Sequence, residues 1–146
     1  MRTLTFNTTV TAPKQKVWDT MINPETYKEW TNVAWPGSDY KGEWAEGKYL
    51  RFNGPDGSGT LAHLVAFKPY DLITAEHMAI LLPGGIEDKE SDMAKGWVGT
   101  IEQYEFVGEG DTTDLTITMK IAPEWAEMFN NDWPKALAKL KEICER

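Results

Sequence analysis

The two histidines of this 146-residue sequence, His63 and His77, are the first candidates for acid–base or metal chemistry. The predicted turn at 68–71 makes residues of its flanking strands pair where their numbers sum to about 139 or 140, so His63 is expected beside Glu76 or His77. A histidine touching a carboxylate in a cavity can act as a general acid or base. Two adjacent histidines can also begin a metal site, but no further ligands stand at a familiar spacing, so no metal is predicted. An exposed cross-strand pair on the outer face of the sheet is the favoured alternative.

Two glutamates are candidates only if their strands turn them inward. Period-two alternation places Glu102 on the same face as Tyr104, and Glu76 on the same face as Met78. A buried carboxylate would have a raised pKa or a partner. Both sets of alternate positions in residues 72–81 are apolar, however, so the inner face stays open, and solvent exposure or a bulge is favoured. The weak catalytic candidates are therefore His63, Glu76 and Glu102.

Three other segments have residue types found in known kinds of site. The glycine-rich stretch 54–59 lacks the Gly-Lys-Ser/Thr ending of a phosphate loop, which indicates a hairpin turn. The acidic stretch 87–92 lacks the spacing and glycine of a calcium loop, so a solvated, mobile segment is expected, with a lid over a cavity as the alternative. Cys144 lies among glutamates near the C-terminus, a poor setting for a nucleophile.

Aromatic residues make up 12% of the chain, and seven of them are tryptophan. Such side chains combine a large apolar body with a polar tip and suit both packed cores and pockets. The candidate ligand-binding residues are Trp30, Trp35, Tyr49, Phe52, His63, Met78, Trp97, Tyr104, Met119, Trp133 and Leu137. We expect Tyr104, His63 or a carboxylate to orient a bound ligand.

Charge and composition exclude several classes of partner. Lys+Arg is 15 against Asp+Glu 23, a formal net charge of −8 that argues against nucleic acid, because binding to phosphates needs a positive surface. The longest apolar run, 78–82, is far shorter than the ~20 residues that span a bilayer. A single cysteine suits a reducing compartment, and the N-terminus lacks a secretion signal. We therefore expect a soluble cytoplasmic protein without membrane insertion.

The hydrophobic pattern predicts one α+β domain over residues 1–146. A strand at 4–10 is followed by two short helices, one after Pro13 and one that Asn23 caps. About six strands joined by tight turns come next, with 82–96 as a loop and a strand from Trp97 to Val107. A short helix after Pro123 and a last helix capped by Asp132 end the chain.

Short connections make the strands antiparallel, so one amphipathic helix must cover a long curved sheet. Such a sheet is too wide for one helix to fill, and a cavity between helix and sheet is the geometric expectation. This α+β architecture is a curved antiparallel sheet of about six to seven strands around a long C-terminal helix, with two short helices after strand 1.

The ordered set of these residues resembles the START-like or SRPBCC superfamily, in particular the branch related to the C-terminal domain of the Hsp90 ATPase activator. The N-terminal part of the pattern is Pro13, Val17-Trp18, Pro24 and Trp30. Gly47, the turn Gly54-Pro55-Asp56-Gly57, and Pro69 with Leu72 continue it. Trp133, Leu137 and Leu140 resemble the branch's Gly-Trp-x-x-x-Leu-x-x-Leu helix, with Asp132 where glycine is usual.

This resemblance implies a helix-grip fold with a hydrophobic cavity under the last helix, in a superfamily that includes lipid, sterol and hormone carriers and aromatase/cyclase enzymes. We expect a protein that binds a hydrophobic or aromatic small molecule, such as a lipid, a sterol or a polyketide-like compound, without catalysis and without a cofactor. One alternative is a cyclase or dehydratase that uses a cavity histidine or glutamate. The other is a chaperone cofactor, which predicts a filled interior and an exposed apolar patch.

Overall fold

The computed structural model describes all residues from Met1 to Arg146, which form eight strands and four helices. The first part of the chain comprises β1 (Arg2–Val10), α1 (Lys14–Ile22), α2 (Pro24–Thr31), β2 (Asp39–Gly42), β3 (Tyr49–Asn53) and β4 (Gly59–Lys68). The second part comprises β5 (Leu72–Leu82), β6 (Ile86–Asp88), α3 (Asp92–Trp97), β7 (Ile101–Glu109), β8 (Thr112–Ile121), a 3₁₀ turn (Pro123–Trp125) and α4 (Ala126–Glu145).

All strands belong to one antiparallel sheet in the order β1-β8-β7-β5-β4-β3-β2, with the short β6 paired to β5. Long ladders join β1 to β8 and β8 to β7, while β2 and β3 form a shorter edge at the other side. The predicted α+β class, with a curved sheet, a long C-terminal helix and two short helices after the first strand, is confirmed.

The two short helices begin where the sequence predicts, because proline is tolerated at a first turn and asparagine caps the second helix. Pro13 precedes α1, and the Asn23 side chain accepts a hydrogen bond from the Glu25 N–H at 3.0 Å. Val17, Trp18 and Met21 are buried. None of the helices is long and apolar enough to cross a bilayer.

The last helix differs from the prediction, because α4 runs without a break from Ala126 to Glu145 and Asp132 is not its cap. The apolar stripe continues through the expected boundary, where Phe129 and Trp133 are buried, as Leu140 is. Pro134 lies inside the helix on its exposed side. There it removes only one N–H donor, and the carbonyl left free belongs to exposed Asn130, where water can satisfy it.

The segment 82–96 is also more ordered than the predicted loop. It contains β6 and α3, and Trp97 ends a helix where the prediction begins a strand. Three donors of this segment, including the Ser91 hydroxyl at 2.6 Å, bond to the Asp88 carboxylate. The Ser91 oxygen in turn accepts from the Ala94 N–H and caps α3.

Two β-bulges between β4 and β5 change which residues face the core. The paired numbers sum to 140 from Gly59↔Leu81 to Leu61↔Ala79, to 139 from Ala62↔His77 to Leu64↔Ala75, and to 140 again from Ala66↔Thr74. The sums of 139 and 140 that the turn predicts are therefore both present. Each bulge inserts one unpaired residue and reverses the alternation beyond it.

The hydrophobic core lies where α1, α2 and α4 pack against the inner face of the sheet. Its fully buried members on β8 and α4 include Leu115, Ile117 and Leu140. This packing fixes α4 over the β1 side of the sheet, since β1 is the strand it contacts most.

We predict that Leu140→Ala lowers the free energy of unfolding by about 2–5 kcal/mol, because it opens a cavity in a closely packed core. Lys135→Ala, on the exposed side of the same helix, should change it by less than about 0.5 kcal/mol. Urea denaturation followed by circular dichroism measures both. Equal losses in the two variants would contradict this assignment of the helix faces.

Candidate functional site

A cavity of about 340 Å³ lies between α2, the start of α4 and the inner face of the sheet. It occurs where the width of the sheet predicts a hollow, and its volume is at the lower end of the range of ligand pockets. An engineered cavity of about 150 Å³ is sufficient to bind benzene. The aromatic side chains of its wall are Tyr27, Trp30, Trp35, Trp44, Phe52, Trp97, Tyr104, Phe129 and Trp133.

Ring–ring contacts hold this wall in place. The Trp133 ring has its centroid 5.2 Å from Trp35, 6.0 Å from Tyr104 and 6.1 Å from Trp30. Trp97 stacks on Phe129 at 5.9 Å with an interplanar angle of 18°. Each such pair contributes roughly 0.5–1.5 kcal/mol beyond its area. The wall is therefore a rigid aromatic surface that is available to a flat apolar molecule.

A chain of hydrogen bonds crosses one side of the cavity. The Trp97 Nε1–H donates to Thr60 Oγ1 at 2.7 Å, and the same oxygen lies 2.8 Å from His77 Nδ1. His77 Nε2 lies 2.8 Å from Glu102 Oε1, while the Tyr104 hydroxyl donates to Glu102 Oε2. The polar groups of the cavity are thus connected to one another across three strands and α3.

The sheet register produces this chain. Ala62 pairs with His77 and Ala75 pairs with Glu102, so Thr60 and Glu102 are both diagonal neighbours of His77. Diagonal neighbours on one face lie within reach of long side chains. The small residues Ala62 and Ala75 leave the room that the imidazole and the carboxylate occupy.

Two proton arrangements satisfy every member of the chain. Thr60 also lies 3.1 Å from the Ala79 carbonyl, so its single hydrogen can point to that oxygen or to His77 Nδ1. In the first arrangement His77 donates from both nitrogens and is cationic. In the second it is neutral and donates only Nε2–H to Glu102. In both, His77 has no nitrogen free for a ligand.

The charges of the pair are set by burial and by its partners. Burial alone would raise the pKa of Glu102, but the charge and hydrogen bond of His77, together with the Tyr104 hydroxyl, hold it below the ordinary value. The pKa of Tyr104 is well above its ordinary value because the group is buried and lies beside the Glu102 charge. Glu102 is therefore a carboxylate at neutral pH, and Tyr104 keeps its proton.

The opening of the cavity is more polar than its wall. The partly exposed lining residues include Ser38 and Asp39 at the start of β2, residues of the turn between β3 and β4, and Met128 of α4. That turn is the predicted hairpin, closed by the Gly54 N–H donating to the Ser58 carbonyl at 2.8 Å. A ligand would enter past these groups.

The structure brings many of the predicted ligand-binding residues to this cavity and leaves others outside. Those that line it are Trp30, Trp35, Phe52, Trp97, Tyr104 and Trp133. Met119 and Leu137 are buried in the core behind the wall, where the Met119 sulfur accepts a hydrogen bond from the Trp133 indole at 3.2 Å. Of the weak catalytic candidates, only Glu102 lines the cavity.

Four predicted residues need correction, because they lie on the outer face of the sheet. His63 pairs with Tyr49 and with Glu76, and its ring stacks on Tyr49 at 4.7 Å. Met78 lies at the bulge of β5 and does not line the cavity. The inner face of β5 carries Ile73, Ala75 and His77 instead, and none of Tyr49, His63, Glu76 and Met78 lines the cavity.

The sequence pattern presented His77 only as a possible partner of His63 and not as a cavity residue, and it gave Thr60 no place in a site. His77 lies on the same face of β5 as Ile73 and Ala75, which would have indicated that it points inward. The other face of the strand also carries apolar residues, so the sequence did not show which face is buried. Thr60 had no signal of its own beyond sharing a face with Ala62 and Leu64. Its role depends on Trp97, which reaches it from α3.

The other chemical candidates do not form sites. No group of three or more His, Cys, Asp or Glu side chains is placed to hold a metal ion. Cys144 is a buried free thiol, and burial raises its pKa, which makes it a poor nucleophile. The acidic stretch is part of an ordered segment, where Glu87 pairs with Arg51 at 3.0 Å.

Residues 11–145 match the family described as "Activator of Hsp90 ATPase homolog 1-like protein" (AHSA1). The chain belongs to this family. The resemblance found in the sequence is therefore confirmed. A comparison with curated proteins found no match.

Solved structures share the fold at low sequence identity. Protein MLL2253 from Mesorhizobium loti superposes with a TM-score of 0.75 at 13% identity, over 97% of this chain and 95% of that chain. Aha1 from Colwellia psychrerythraea, described as a dimer, gives 0.74 at 18% identity over 99% and 97%. CalU16 from Micromonospora echinospora gives 0.66 at 17% identity over 97% and 74%.

We predict that Glu102→Gln lowers the free energy of unfolding at pH 7 by about 1.5–3 kcal/mol, the usual contribution of a hydrogen bond to a charged group. The pKa of Glu102 in the folded protein is below its ordinary value of 4.5, so its ionised form stabilises the fold above that pH. This contribution is lost as the pH falls through the folded pKa. The difference between wild type and variant should therefore shrink below about pH 4.5.

Urea denaturation from pH 7 to pH 3 measures this difference. Glu76→Gln, which removes the same charge from the outer face of the sheet, is the matched control and should have a smaller effect at pH 7. A difference for Glu102→Gln that stays constant or grows on acidification would contradict the prediction.

We also predict that Thr60→Val destabilises the protein by about 1–3 kcal/mol for each partner it leaves unpaired, because the Trp97 indole and His77 Nδ1 both lose their oxygen. Thr60→Ser keeps the hydroxyl and should retain most of the stability. Urea denaturation measures the loss, and the indole N–H resonance of Trp97 reports the broken bond. A Thr60→Val variant as stable as wild type would show that the hydrogen-bond chain does not stabilise the fold.

Proposed function

We propose that this protein binds a small aromatic or hydrophobic molecule in the cavity between α4 and the sheet, and that it does so without catalysis. The observation that carries the proposal is a 340 Å³ cavity whose wall is formed by aromatic rings. Its size suits a molecule of two or three rings, since benzene needs about 150 Å³. Burial of apolar area against such a wall favours binding by about 25 cal/mol per Å² before the costs of association.

The fold supports this proposal. A cavity under the last helix is what membership of the AHSA1 family and the START-like resemblance both lead us to expect. DynU16, whose structure is described as that of a protein in the dynemicin biosynthetic locus, has the same fold with a TM-score of 0.71 at 15% identity. It is a longer protein, because the match covers 46% of that chain.

The strongest alternative is an enzyme, since Glu102 lies in the cavity with hydrogen-bond partners, as a cyclase or dehydratase would require. The state of the polar groups favours binding instead. Both nitrogens of His77 are engaged. A carboxylate whose pKa is lowered is a weak base, and a tyrosine whose pKa is raised is a weak acid.

A chaperone-cofactor role is supported less. It predicts a filled interior and a contiguous apolar patch, whereas the interior is hollow. The exposed large apolar side chains come from separate elements, such as Val33 after α2, Ile86 in β6 and Val107 in β7. Single exposed apolar residues of this kind are ordinary on protein surfaces.

The test uses a neutral two-ring probe, 1-naphthalenemethanol, titrated into ¹⁵N-labelled protein. We expect the indole N–H resonances of Trp35, Trp97 and Trp133 to shift, because their rings line the cavity. Trp18 packs against Phe67 and Phe106 outside it and serves as the internal control.

Trp35→Leu removes part of the wall and should weaken binding about tenfold, equivalent to about 1.4 kcal/mol. Tyr49→Leu, which removes an aromatic ring from the outer face, should leave binding unchanged. Native mass spectrometry of freshly purified protein provides an independent search for a retained molecule. Resonances of Trp97 and Trp133 that do not move with this probe or with lipids, sterols and polyphenols would overturn the proposed function.

A further inference from the structure

The cavity has an unusual balance of charge. None of its lining residues is lysine or arginine, and Glu102 contributes a carboxylate inside. Asp39 contributes a second carboxylate to the lining, and this one pairs with Lys28 at 3.6 Å. His77 is the only basic group of the lining, and it is bonded to Glu102. The whole chain carries a formal charge of −8. An anionic ligand would therefore meet the Glu102 carboxylate inside the cavity and no unpaired cation.

The aromatic wall adds to this preference. The faces of aromatic rings carry partial negative charge and attract cations within about 6 Å, most strongly for tryptophan. Trp30, Trp35 and Trp133 meet at one side of the cavity. Cages of aromatic rings recognise organic ammonium groups. Glu102 lines the same cavity and is bonded to Tyr104, whose ring lies 6.0 Å from Trp133.

Glu102 has acceptor capacity left for a ligand. Each of its oxygens accepts one hydrogen bond, from His77 or from Tyr104, whereas a carboxylate has about four acceptor sites. The 12% of its side chain that stays exposed is consistent with a carboxylate that lines the cavity. An ionised carboxylate can only accept, so a ligand group in contact with it must donate a hydrogen.

The surroundings of Tyr27 have the same sign of potential. Burial raises the pKa of Tyr27, and the charges of Glu102 and Asp39 raise it further. Tyr27 lines the cavity, so it experiences the negative potential of both carboxylates there.

We propose that the cavity selects organic ammonium ligands, molecules with an aromatic or apolar body and a protonated amine that donates to Glu102 among the indole rings. This inference rests on the proposed function of the cavity and specifies the charge of its ligand. A neutral hydroxyl group can donate a hydrogen bond to Glu102 but lacks the electrostatic attraction of a cation. An ionised carboxylate on the ligand can do neither.

The hydrogen-bond chain accommodates the additional charge without moving. In the arrangement with neutral His77, the imidazole donates Nε2–H to the carboxylate, and the Thr60 hydroxyl donates to Nδ1 over the observed 2.8 Å. The Glu102 charge is then available to a cationic ligand with no change in the positions of these side chains.

The experiment compares three probes with one naphthalene body: 1-naphthylmethylamine, 1-naphthalenemethanol and 1-naphthoic acid. Dissociation constants are measured at pH 7 by calorimetry, and the Trp97 and Trp133 indole resonances report the site. We expect the amine to bind at least about tenfold more tightly than the acid and more tightly than the alcohol.

Variants separate charge from shape. Glu102→Gln should weaken binding of the amine about tenfold or more and leave the alcohol within about threefold, because it removes a charge while keeping the size of the side chain. Glu76→Gln, the same change outside the cavity, should leave all three constants unchanged. The comparison of the three probes on wild-type protein needs no variant, so it stands even where Glu102→Gln does not fold.

The outcomes distinguish this inference from the proposed function. If none of the probes shifts the cavity tryptophans, the proposed function fails. If the alcohol or the acid binds as tightly as the amine, the cavity binds aromatic molecules without selecting cations, and the inference is overturned. The same holds if Glu102→Gln weakens amine and alcohol equally.

Discussion

The width of the sheet is the constraint on which the cavity depends. Seven strands at a spacing of about 4.8 Å would span roughly 29 Å if flat, whereas a helix with its side chains is about 10–12 Å across. The curvature of the sheet and the two short helices cover part of the width that α4 leaves open. The helix α4 itself packs nearer to the β1 side of the sheet. The uncovered part over β4, β5 and β7 is lined by large rings that contact one another and so resist collapse into the gap.

The polar groups of the site follow from the same geometry. A carboxylate inside an apolar cavity is stable only when its partners compensate for lost solvent, and Glu102 finds them on the neighbouring strand and on its own. His77 is fixed in turn by Thr60, and Thr60 by the Trp97 indole. The His77–Glu102 pair therefore depends on the register of β4, β5 and β7, on the small residues Ala62 and Ala75, and on α3, which positions Trp97.

The sequence was sufficient to predict most of the element types, the antiparallel pairing, the N-cap at Asn23 and the hollow, because each depends on local pattern or simple geometry. It did not determine the inner face of β5. Ile73, Ala75 and His77 face inward, but beyond the bulge Ile80 belongs to the core cluster, while Ala79 and Leu81 are buried outside it. Burial alternates along β5 up to Ala79, but apolar residues stand on both of its faces, so the sequence pattern did not distinguish His77 from Glu76. A glycine inside a strand can indicate a bulge, but the bulge position of β5 is occupied by Met78, so nothing in the sequence indicates it.

The segment between β5 and β7 shows how an apparently irregular insertion becomes part of the site. Its acidic residues indicated a solvated segment, but one of them stabilises its structure. The Asp88 carboxylate accepts three hydrogen bonds, and the Ser91 side chain caps α3. The helix has only six residues, too few to be stable alone, and it is retained because Ala94 and Trp97 are buried. The Trp97 indole N–H donates to Thr60 and orients its hydroxyl. Thr60 in turn contacts His77, which contacts Glu102, so the position of this surface segment affects the buried carboxylate.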